Sequence, residues 1–85
     1  MNEIEETIFH IKQLSFDITD DTYDTRIGRG HELLVKLRDS GLEIDQVYRP
    51  LIQYHNELED GLSREYIAEL LDYVVGWCSP QKKIF

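Results

Sequence analysis

Four aspartates in eight residues, Asp17, Asp20, Asp21 and Asp24, form the densest set of hard oxygen ligands in the chain. A calcium loop needs alternating ligands, a turn glycine and a distal glutamate, and this run has none of that order. It is expected to solvate a loop and to favour the positive end of the helix that follows. His10, His31 and His55 are far apart, and none belongs to a metal-binding pattern such as H-E-x-x-H. Cys78 is the single cysteine, so neither an intrachain disulfide nor a thiolate cluster is available. Paired with a histidine it could act as a nucleophile, but it falls in phase with an apolar helical stripe, where a thiol is buried and inert. Arg26-Ile27-Gly28-Arg29-Gly30 has the glycines of a phosphate cradle, yet it follows no strand and lacks the Lys-Ser/Thr of a P-loop. Its two arginines are expected to pair with neighbouring aspartates. These patterns point to no catalytic centre, no metal and no cofactor.

Charge is the stronger signal. Seventeen Asp and Glu stand against nine Lys and Arg, a formal net charge of −8 on 85 residues. Such a chain repels nucleic acid and anionic membrane and is drawn to a basic partner. Hydrophobic content of 41% is enough for one small core. The N-terminus, MNEIEETIFHIKQ, is acidic where a secretion signal is basic, and no apolar run approaches the roughly 18 residues that span a bilayer. The expectation is a single cytoplasmic domain over residues 1–85.

The elements that must position these groups read as helices. Asn2 caps the first, with Glu5 at the capping-box position, and Ile4, Ile8, Ile11, Leu14 and Ile18 form its stripe to about Phe16. A second helix is predicted from between Thr22 and Thr25 to Ser40, along Ile27, His31, Leu34 and Leu37. Gly28 and Gly30 weaken its start or permit close packing, and Gly41 stops it, with Leu42 folding back. Asp45 reads as the cap of a third helix, which should break or kink at Pro50; Gly61 ends the segment. Ser63 reads as the cap of a fourth, stapled by Leu62 and Ile67, with Ile67, Leu70, Leu71, Val74 and Cys78 buried and Pro80 as its stop. No segment alternates long enough to be a strand. The prediction is an all-α, compact four-helix bundle, its third helix short or kinked at Pro50.

Several charges oppose local helix physics. Glu65, Glu69 and Asp72 stack on one face of the fourth helix, and Glu57, Glu59 and Asp60 crowd the negative end of the third. A cationic partner would relieve both. Tyrosines add aromatic anchors to these carboxylates, with Tyr48 the expected exposed one. Acyl carrier proteins are also small acidic four-helix bundles, but their serine opens a helix within D-S-L, whereas Asp39-Ser40-Gly41 closes one.

The segment Asp45-Gln46-Val47-Tyr48-Arg49-Pro50 resembles the D-L-I-Y-Y-P motif of the immunity proteins of nuclease colicins and pyocins. Asp45, Val47, Tyr48 and Pro50 match it, Arg49 replaces the second tyrosine, and the family's N-terminal S-I-S-D-Y-T is absent. The resemblance implies a non-enzymatic inhibitor that holds a basic bacterial toxin, a nuclease above all, through an acidic and aromatic face. Tyr48 would be the anchor beside Asp45 and Pro50; helical placement adds Glu32 and Asp39 as steering charges. The competing expectation is a regulatory or assembly protein that forms a homodimer through Tyr66, Tyr73 and Trp77 of the fourth helix.

Overall fold

The computed structural model describes residues 2–76, 80 and 83–85. Cys78 and Trp77, and every expectation that rests on them, lie outside the described residues. Four helices follow one another: α1 (Glu3–Ser15), α2 (Asp20–Asp39), α3 (Ile44–Glu57) and α4 (Leu62–Val75). They form the all-helical bundle that the apolar periodicity predicts. No described residue lies in a strand. Among the described residues no helix is long and apolar enough to cross a membrane.

The stripes meet in one core. Ile11, Leu34, Leu37, Val47, Leu51, Ile67, Leu70 and Val74 are wholly buried, and each comes from a three- or four-residue spacing. α3 packs mainly on α4 and α1 on α2, while α2 also lies along α4. α2 and α3 scarcely meet and so occupy the long diagonal. Tyr66 is buried with them, and its hydroxyl donates to the Arg26 carbonyl at 2.7 Å. That approach depends on Gly30, where an added Cβ would stand 2.6 Å from the Tyr66 oxygen. The second glycine of the Arg–Gly segment therefore serves packing.

Most helix ends use local chemistry. Asn2 accepts the Glu5 N–H at 2.8 Å, as its spacing predicts. α2 starts earlier than expected, because Thr22 reaches back to accept the Thr19 N–H at 3.0 Å and fixes the first turn at Asp20. Its far end closes on Gly41 (φ 91°), with Gly41 N–H bonded to the Arg38 carbonyl and Leu42 N–H reaching the Leu37 carbonyl.

Four expectations are corrected here. α3 neither breaks nor begins at Pro50: it is one helix of 14 residues, the same length as α4. Val47 and Leu51 are fully buried on either side of the proline, so core packing holds both halves in one helix despite the lost hydrogen bond. Asp45 is not the cap of α3; Glu43 is, its N–H accepted by the Gln46 side chain at 3.0 Å. Ser63 lies inside α4, whose cap is Gly61 (φ 153°), and its hydroxyl donates to the Ser15 carbonyl at 2.6 Å. α4 also stops before Pro80, at left-handed Gly76. Ile84 N–H meets the Tyr73 carbonyl at 3.0 Å, and the Ile84 side chain is buried.

Candidate protein-binding face

The α1–α2 and α3–α4 connections lie at the same end of the bundle and share one cleft of about 650 Å³. Ile18, Leu58 and Leu62 give it an apolar lining, and Asp17, Glu57, Glu59 and Asp60 surround that lining with carboxylates. Asp20 and Asp21, exposed in the first turn of α2, extend the negative field. Their position is locally favourable, since helix N-termini attract anions. Glu57 and Glu59 gain nothing of the kind, because they stand at the negative end of α3.

The nearby cations are already engaged. Arg64 Nη1 pairs with Asp60 at 2.7 Å. Arg26, expected to pair with an aspartate, instead donates Nη1 to the carbonyls of Leu14 (3.0 Å) and Phe16 (2.7 Å). Those carbonyls close α1, so the guanidinium satisfies orphan acceptors and offsets the helix dipole. Arg29 pairs with Glu32 at 3.1 Å, and Arg38 with Asp39 at 3.0 Å.

A second acidic groove, about 510 Å³, runs between α2 and α4. Asp24, Glu32 and Glu69 line it with His31 and Tyr73, whose rings meet edge to face at 5.3 Å. Glu69 is fixed by two phenols: Tyr23 donates to one oxygen at 3.3 Å and Tyr73 to the other at 2.5 Å. Burial and the adjacent Glu69 charge push the Tyr23 hydroxyl up to about 12, and burial raises Tyr66 further. Both phenols therefore stay protonated and act as donors near neutrality. The bonds from Tyr23 and Tyr73 hold the Glu69 carboxylate still. No group of three or more His, Cys, Asp or Glu converges on a metal-sized site among the described residues.

The five residues named from the sequence do not form one face. Tyr48 is half-buried against the core, on the flank of α3 that also carries Ile52 and His55. Pro50, about 200° further round the helix at 100° per residue, lines a separate apolar groove with Ile4, Ile8 and Phe9 of α1. Asp45 and Asp39 are exposed at the opposite end of the bundle, where Asp45 shares a cleft with Arg38, Ile84 and Phe85. Glu32 belongs to the α2–α4 groove. Tyr66 and Tyr73, expected in a dimer interface, are buried within the fold. The acidic end was visible in sequence only as separate charge runs, because nothing local shows that Asp17 and Glu57 share a cleft. No family model, curated protein or solved structure matches the chain.

Proposed function

We propose that this protein is a non-enzymatic binding module that neutralises a basic partner, in the manner of an immunity protein holding a bacterial nuclease toxin. One observation carries the reading: two loops distant in sequence bring Asp17, Glu57, Glu59 and Asp60 around one apolar-lined cleft, with Arg64 committed to Asp60. Carboxylates that oppose their own helix dipole cost stability. A cationic partner recovers that cost on binding, and the apolar lining offers contact area beneath the charges. Inhibition of this kind needs no chemistry: covering a nuclease's nucleic-acid surface is sufficient. The face that carries it lies at the loop end of the bundle, away from the Asp45–Pro50 motif.

Co-expression with a basic nuclease domain encoded beside this protein's reading frame tests the proposal. The wild-type chain should protect cells, and the set Asp17→Asn, Glu57→Gln, Glu59→Gln, Asp60→Asn should weaken binding by about tenfold or more. Tyr48→Ala, by contrast, should cost less than about 1 kcal/mol, below the hot-spot class. Full protection by the neutralised set would refute the assignment of the face. Absence of any complex with the wild type would refute the inhibitor reading.

A further inference from the structure

The most exposed large apolar side chain in the described structure is Phe16, 76% accessible. It directly precedes Asp17 of the acidic cleft. An exposed phenylalanine alone is unremarkable, but the backbone around this one is unusually well held. Phe16 N–H bonds to the Gln13 carbonyl at 3.2 Å. Its own carbonyl, and that of Leu14, accept Arg26 from α2. The Ser15 carbonyl accepts Ser63 from α4, while the Ser15 hydroxyl donates to Lys12 and meets the Tyr54 hydroxyl at 3.0 Å. Asp17 then takes a left-handed backbone (φ 54°), the one non-glycine residue to do so among those described, and returns the chain to buried Ile18.

Side chains from α2, α3 and α4 therefore reach this turn, and none of their bonds uses the ring. The backbone is fixed while the aromatic group stays in solvent. That is the arrangement that lowers the entropic cost of binding through a single anchor. Resting on the acidic-face reading above, we infer that Phe16 is the anchor of that face. Its partner is a protein surface with an apolar socket rimmed by Lys or Arg. Charge complementarity selects that occupant: Phe16 directly precedes Asp17 and is followed within five residues by Asp20 and Asp21, so an uncharged or acidic apolar surface meets repulsion or unrelieved desolvation.

Two synthetic peptides of equal length and charge, one alternating Lys with Leu and the other Lys with Ser, test this by calorimetry on the intact chain. The Lys–Leu peptide should bind at least about fivefold more tightly, the threshold for a contributing anchor. Phe16→Ala should abolish that preference with its melting temperature unchanged, and Phe16→Leu should keep most of it. Equal binding of the two peptides, or a preference untouched by Phe16→Ala, overturns the anchor while leaving the acidic face standing. If neither peptide binds, or if neutralising Asp17, Glu57, Glu59 and Asp60 changes nothing, the acidic face falls and the anchor with it.

Discussion

The two ends of this bundle use their polar groups in opposite ways. Where α2 meets α3, charge and hydroxyl are spent on the chain itself. Arg38 pairs with Asp39 and donates to the Ile84 carbonyl at 3.1 Å, and Ser40 bonds the Glu3 carboxylate of α1 at 2.8 Å. At the other end, the cations hold backbone and a single carboxylate, while Asp17, Glu57 and Glu59 make no ion pair among the described residues. An arginine ties backbone at each end, Arg26 through two carbonyls and Arg38 through one. They differ in what is left over. At one end Arg38 and Ser40 engage Asp39 and Glu3, with Glu43 and Asp45 outside the ion pairs seen among the described residues. At the other, the carboxylates outside those pairs include Asp17, next in sequence to the exposed Phe16. On the proposed reading, a cationic partner would balance those charges.

Removing the device that fixes the loop end should have the largest effect on that contrast. Arg26→Met keeps the apolar stem but orphans the Leu14 and Phe16 carbonyls, and should cost about 1–3 kcal/mol in denaturant unfolding. The same change at Arg38 loses one carbonyl contact and an exposed ion pair, and should cost less, about 1 kcal/mol. Equal losses would mean that the two ends are not held differently.

A smaller effect separates two glycines on α2. Gly30→Ala pushes a methyl against the Tyr66 hydroxyl and both Leu70 methyls, the latter at 3.1 Å. Overpacking of about 1–3 kcal/mol outweighs the roughly 1 kcal/mol of helix propensity that alanine gains. Gly28→Ala has no atom within 4 Å of its new methyl and should instead raise the melting temperature. Two stabilising substitutions would show that Tyr66 does not need its close approach to α2.

Alkali probes the tyrosines that join α4 to α2. Tyr23 is raised to about 12 and Tyr66 higher still, against an unfolded value near 10. The folded state thus favours the protonated phenols. The stability they confer is complete below pH 10 and is lost as pH rises through the folded values. Unfolding midpoints should fall between pH 10 and 12, and Tyr66→Phe should flatten that slope. A pH-independent midpoint across this range would contradict the burial of both hydroxyls.

The smallest change belongs to the carboxylates themselves. Neutralising Glu57 and Glu59 at the acidic end should alter stability by no more than about 0.5 kcal/mol, in the stabilising direction and less so in high salt. A large destabilisation would assign these side chains to the fold.

Much of this architecture was legible in the sequence. Apolar spacing gave each buried residue from Ile11 to Val74, and Asn2 and Gly41 marked helix ends through their own side chain or backbone. Pro50 does not divide α3, because Val47 and Leu51 are buried on either side of it and the helix packs on α1 and α4. The caps of α3 and α4 each fell two residues earlier than expected: Gln46 accepts the Glu43 N–H, and Ser63 is drawn to the Ser15 carbonyl, 48 positions away. The acidic end could be read only in pieces. Phe16 passed as the last residue of a helix, since no spacing rule shows that a terminal aromatic will be left outside while its carbonyl is tied by Arg26.

The central claim is that negative charge at one end of the bundle is reserved for a partner. Amide shift mapping during titration with the Lys–Leu peptide addresses it residue by residue. The account predicts that the largest perturbations fall on residues 15–21 and 57–62, with 36–46 nearly silent. Perturbations as large around Arg38 and Asp45 as around Phe16 and Glu57 would contradict it.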